Sequence, residues 1–72
     1  MTQLEFWHEQ ANRVVATISL RDSGAVPCAG DLVYVPDEND SGVYVFVKVT
    51  SRRFYYSQEG ELTMIRIACE TM

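Results

Sequence analysis

Apolar and polar positions alternate most sharply at residues 43–50, Val43-Tyr44-Val45-Phe46-Val47-Lys48-Val49-Thr50. Valine takes every odd position, and Tyr, Phe, Lys and Thr take the even ones. Successive side chains of an extended chain point to opposite sides, so this rhythm predicts a strand with one buried face. It returns from Leu62 to Glu70, where Ile65, Ile67 and Cys69 oppose Met64, Arg66 and Ala68. A shorter stretch, Asp31 to Pro36, sets Leu32 and Tyr34 against Val33 and Val35. Residues 14–20 place Val14, Ala16, Ile18 and Leu20 on one face and Val15, Thr17 and Ser19 on the other. The strand that opens at Val43 runs on to Tyr56, which requires a bend or bulge near Ser51-Arg52-Arg53.

Turn-forming residues separate these runs: Asp22-Ser23-Gly24, Pro27 to Asp31, Pro36 to Gly42 and Ser57 to Glu61. The first dozen residues read two ways. Thr2-Gln3-Leu4-Glu5 has the form of a helix capping box, and Leu4, Trp7, His8 and Ala11 fall at helical spacing. Leu4 to His8 also reads as a strand, with Gln10-Ala11-Asn12 as a hairpin loop, and the β-branched run after Arg13 favours that hairpin. Four to five short strands with little helix predict an all-β domain. It is an SH3-like, partly open small barrel or a strongly bent antiparallel sheet, with a short N-terminal helix as the open alternative.

Length sharpens this picture. At 72 residues the chain is one domain, residues 1–72, and a domain this small buries only about 60% of the surface its unfolded chain exposes. A thin core follows, and with it a motive for self-association. The net charge of −4 argues against bulk binding to duplex DNA or anionic membranes, which reward basic surfaces. No run reaches the roughly 18 apolar residues of a membrane-spanning helix. The first residues lack the basic and apolar regions of a signal peptide, so a cytoplasmic location is expected. Cys28 and Cys69 form no CxxC pair and His8 is the only histidine, so a Cys/His zinc site is not expected; two free thiols are.

The run Val26-Pro27-Cys28-Ala29-Gly30-Asp31-Leu32-Val33, followed by Tyr44 to Val49, Arg53-Phe54 and Ile65-Arg66-Ile67, resembles a pattern in small uncharacterised β proteins of phages and prophages. In these a P-x-x-G-D-x-V turn launches a strand, a second strand follows and a third closes the chain. The resemblance spans residues 26–70. It implies a small β fold and a mobile-element origin, and it brings no site residues with it.

Candidate chemistry is sparse. Asp37 to Gly42 matches the opening of a calcium loop, but the twelfth position is Lys48 where a bidentate Glu is needed, so a polar hairpin loop is expected. A hydrolytic triad would have to recruit His8, and no nucleophile elbow accompanies it. Neither an enzyme nor a cofactor is therefore expected. The notable surface is the even-numbered face of the long strand. Tyr44, Phe46 and Lys48 lie there, Arg52, Arg53 and Tyr55 continue the mixture of cation and aromatic, and Arg66 joins from the last strand. Either this face binds, or Phe6 and Trp7 fold over it as a second core layer. As a binding face it suits a protein partner or a second copy of the chain. Single-stranded nucleic acid is the alternative, and an acidic inhibitor built on Asp37, Glu38 and Asp40 is a third reading.

Overall fold

The computed structural model describes residues 2–71. They form one five-stranded mixed sheet, in the order β2-β1-β5-β4-β3, curled into a half-barrel. The strands are β1 (Gln3–His8), β2 (Arg13–Ser19), β3 (Leu32–Pro36), β4 (Tyr44–Tyr56) and β5 (Leu62–Thr71), with a single turn of helix, α1 (Leu20–Ser23), after β2. The all-β expectation is met. The N-terminal helix alternative is not adopted: the Thr2 hydroxyl donates to the Leu62 carbonyl at 2.8 Å, which ties the start of the chain to β5.

Alternation decides which side chains enter the core. Leu4 and Phe6 of β1, Val35 of β3, Val47 and Val49 of β4, and Ile65, Ile67 and Cys69 of β5 all turn to the inner face and are fully or almost fully buried. Val43 is the odd-numbered valine that does not follow, being exposed ahead of the strand. The inner face is covered by Leu20 of α1 and by Val26 in the crossover that carries the chain to the far edge of the sheet. The helix is capped at Ser19, whose hydroxyl accepts from the Asp22 amide, and it stops at Gly24 (φ 74°), a left-handed position that glycine fills without strain.

Two features depart from the simple pattern. β1 and β5 run parallel, whereas the other three neighbouring pairs are antiparallel. And β2 does not keep its expected faces. Pairing passes from Phe6↔Ala16 to Trp7↔Val14, so Val15 is an extra residue. Val15 and Ala16 are both buried, while Val14 turns to the side of Trp7. A bulge of this kind bends the strand and resets its alternation.

That bend brings β2 within reach of the β3–β4 turn. The Glu38 amide donates to the Val15 carbonyl at 2.8 Å, and the Asn39 side-chain amide donates to the Val14 carbonyl at 3.1 Å. Arg13 lies 3.6 Å from Asp37. These contacts latch the two outer strands of the sheet together at one end. They also occupy the Val14 and Val15 carbonyls on the outer edge of β2, which would otherwise present unpaired backbone groups there.

Candidate functional site

A second bulge organises the outer surface. Val49 pairs with Cys69, and the next pair is Ser51↔Ala68, leaving Thr50 as the extra residue. Before it, the even positions Tyr44, Phe46 and Lys48 point outward. After it, the outward positions are odd. Arg53 stands opposite Arg66 and Tyr55 opposite Met64, while Arg52 and Phe54 stand opposite the buried Ile67 and Ile65. Of the seven surface residues expected from sequence, Tyr44, Phe46, Lys48, Arg53, Tyr55 and Arg66 thus share the outer face. Arg52 lies on the other side, its guanidinium 5.4 Å from the centre of the Phe54 ring.

Phe6 and Trp7 do not cover this face. As neighbours on one strand they point to opposite sides: Phe6 is buried in the core, and Trp7 lies outward beneath the Arg66 guanidinium, 4.8 Å from its ring centroid. The outer face therefore stays open and divides into two areas.

The first lies on the β3–β4 hairpin. Tyr34 and Phe46 are register partners, with ring centroids 4.5 Å apart at an angle of 33°. Tyr44 and Leu32 flank them, and Tyr34 and Tyr44 are 69% and 67% exposed. Exposed aromatics of this size are uncommon on a surface that contacts only water. Tyr34 and Leu32 are absent from the sequence-based set. Their signal was the alternation of Asp31 to Pro36, which sets them opposite the buried valine Val35.

The second area surrounds Arg66. Its Nε and Nη2 lie 2.8 and 2.7 Å from the same oxygen, Oε1 of Glu5, and Glu5 is its register partner on β1. Arg53, directly across from Arg66 on the other side, forms no ion pair among the described residues. Trp7, Glu9, Ser51, Arg53, Arg66 and Ala68 outline a hollow of about 80 Å³. It falls well short of the roughly 300 Å³ at which small-molecule sites begin. At the bulge the Thr50 hydroxyl lies 2.6 Å from the Glu9 carboxylate and 3.1 Å from the Ala68 carbonyl.

His8 and Cys69 are register partners on the inner face, yet their polar atoms are engaged elsewhere. His8 Nδ1 accepts from the Ala11 amide at 2.8 Å and so carries no proton, while Nε2 faces the Thr71 hydroxyl at 3.1 Å. The imidazole thereby holds the β1–β2 turn. The Cys69 thiol donates to the Trp7 carbonyl at 3.3 Å. Burial, aided by the nearby Glu9 charge, pushes its pKa up to about 11, so at neutral pH it is a thiol and a poor nucleophile. Cys28 is free and exposed.

The Asp37–Gly42 turn is the polar hairpin loop expected from its composition. Asp37 Oδ1 accepts from the Asn39 backbone amide at 2.9 Å, and that bond, followed by Arg13, holds the carboxyl below its ordinary pKa. No cluster of three or more His, Cys, Asp or Glu side chains suited to a metal ion occurs among the described residues, nor does a helix long and apolar enough to cross a membrane. A scan against protein-family models, a search of curated proteins and a search of solved structures return no match for this chain.

Proposed function

We propose that this chain is a non-catalytic association module that binds a protein partner or a second copy of itself, and that it serves as a cytoplasmic accessory protein of a phage or prophage. One observation carries the association reading: the tilted ring pair of Tyr34 and the half-buried Phe46, flanked by the exposed Tyr44, on a sheet face that the rest of the fold leaves uncovered. Tyr and Phe are the residue types that anchor protein contacts. The mobile-element origin rests on the P-x-x-G-D-x-V resemblance alone.

The test is the native mass of the purified chain and of whatever travels with it, at low and at 1 M salt. A contact made by apolar rings survives the salt, and where the β3–β4 face is the contact the double variant Tyr34→Ser/Tyr44→Ser abolishes it. A chain that stays monomeric and unaccompanied, unchanged by the double variant, would defeat the reading.

Single-stranded nucleic acid is the second reading. It is favoured by Trp7, Arg66, Arg53 and Tyr55 gathered on one surface, which suits base stacking and phosphate contact. Glu5 and Glu9 oppose it by offsetting the local positive charge. Titrating an oligothymidylate against the emission of Trp7, the chain's single tryptophan, separates the two. Quenching that fades steeply with salt supports nucleic-acid binding, and a flat response removes it. The acidic-inhibitor reading has weaker support, because Asp37 spends its carboxylate on Asn39 and Arg13 within the fold.

A further inference from the structure

Among the described residues, three stretches of sheet edge are treated differently. The edge of β2 is covered at Val14 and Val15 by Asn39 and Glu38. The edge of β3 is five residues long and ends in Pro36, which has no amide to offer. The third stretch is the second half of β4. β3 pairs only with residues 44–48, so residues 51–56 have β5 on one side and nothing on the other. No turn or loop hydrogen bond reaches 51–56 among the described residues, and all six residues are exposed. No proline interrupts them, and the one register shift within them, between Tyr55 and Tyr56, places its extra residue, Thr63, on β5.

Ser57 donates to the Glu61 carbonyl and the Tyr55 carbonyl accepts from the Thr63 hydroxyl, so residues 55 and 57 face β5. In an antiparallel ladder the orientation alternates. The amide and carbonyl groups of Arg52, Phe54 and Tyr56 therefore point to the open edge.

We propose, resting on the association reading above, that a second copy of this chain pairs with this edge: two β4 strands run antiparallel about a two-fold axis at Phe54. The side-chain order Arg52-Arg53-Phe54-Tyr55-Tyr56 is self-complementary in that register. Phe54 meets Phe54 of the second copy, Arg52 meets Tyr56, and Arg53 meets Tyr55. Every guanidinium thus faces an aromatic ring instead of another cation, an attraction the chain already uses between Arg52 and Phe54 and between Arg66 and Trp7. The register also matches the backbone. Arg52 with Tyr56 and Phe54 with Phe54 are hydrogen-bonded pairs, about six bonds in all, and Arg53 with Tyr55 is the closer non-bonded pair between them. The two half-barrels join into one continuous sheet. An isologous contact of this kind closes on itself and leaves this edge unavailable for open-ended growth.

The experiment is sedimentation equilibrium of the full chain from micromolar to millimolar concentration. The wild type is expected to be a dimer at the upper end. Phe54→Pro deletes the outward amide and leaves the β4–β5 ladder its bonds; it should keep the circular dichroism spectrum and weaken association at least ten-fold. Should that variant not fold, cross-linking carries the test. In a Cys28→Ser background, Phe54→Cys oxidises to a covalent dimer, whereas Lys48→Cys does not. A wild type monomeric at millimolar concentration overturns the proposal, as does a failure of Phe54→Cys to cross-link in a dimeric protein. A dimer that survives Phe54→Pro and is lost in Tyr34→Ser/Tyr44→Ser also overturns edge pairing, and leaves the association reading standing on the β3–β4 face.

Discussion

The two halves of β4 make an instructive pair. Residues 44–48 have β3 on one side and Val49 bonds to Gly30 and Asp31 just before it, with β5 joining on the other side from Val47, and the inward valines Val47 and Val49 are fully buried. Residues 51–56 have a single neighbour, and every one of them is exposed. Both halves are rich in residues that favour strands, but only the first alternates apolar with polar positions. What else separates them is the Thr50 bulge and the length of β3, which is too short to accompany β4 past Lys48. Strand character follows from local residue preference, whereas burial depends on what the remainder of the chain supplies to either side.

Truncation in the core should expose that difference most strongly. Val47→Ala removes buried methyl groups where the surroundings cannot collapse, and is expected to cost about 2–3 kcal/mol. In a domain this small that is a large part of the total stability. Phe54→Ala removes a larger side chain yet should cost under about 1 kcal/mol in the monomer, because the ring is already 44% exposed. Urea unfolding at low protein concentration measures both. Equal costs would mean that the second half of β4 belongs to the core.

The latch at the other end of the sheet gives a smaller, pH-dependent effect. Asp37 has its pKa lowered from 3.8, first by the Asn39 amide and then by Arg13. A lowered folded-state pKa contributes stability above the unfolded value and loses it as pH falls through the folded one. Stability should therefore drop as pH falls below about 4. Asp37→Asn should remove that part of the acid dependence while costing little at acid pH. Denaturant midpoints at pH 7 and pH 3 test this; parallel losses in the two proteins would mean that the latch does not respond to Asp37 ionisation.

Much of the half-barrel was legible in the sequence, and the limits of that legibility are physical. Val45, Val47, Val49, Ile65, Ile67, Leu4 and Phe6 declare their faces by alternation, and the turn residues mark where strands end. The bulges at Val15 and Thr50 do not announce themselves, because valine and threonine are ordinary strand residues and nothing local marks either as the extra one. The bend near Ser51 was anticipated from length alone, but its position decides that Arg53 and Tyr55 share a face with Arg66 and that Arg52 does not. Strand order was hidden for a different reason. Pairing β1 with β5 joins Leu4 to Ile65, and single-sequence periodicity carries no information across that separation. The same holds for the latch, where Asn39 reaches Val14.

The smallest expected effect is also the most direct probe of the exposed half of β4. Arg53 and Arg66 are opposed register partners on the outer face, and like charges placed directly across a ladder are destabilising. Glu5 already satisfies Arg66 from the β1 side, so the repulsion is reduced but not cancelled. Arg53→Glu turns the pair into an attractive one and leaves the backbone bonds to β5 in place. Exposed ion pairs contribute roughly 0.2–1 kcal/mol, so the monomer should be unchanged or more stable by that amount, and the gain should shrink as salt screens it. A change of this sign at Arg53, set beside the loss at Val47, would show that one continuous strand carries a buried half and a solvated half. A loss above about 2 kcal/mol instead would require Arg53 to hold a structural contact, and the second half of β4 would then not be simply solvated.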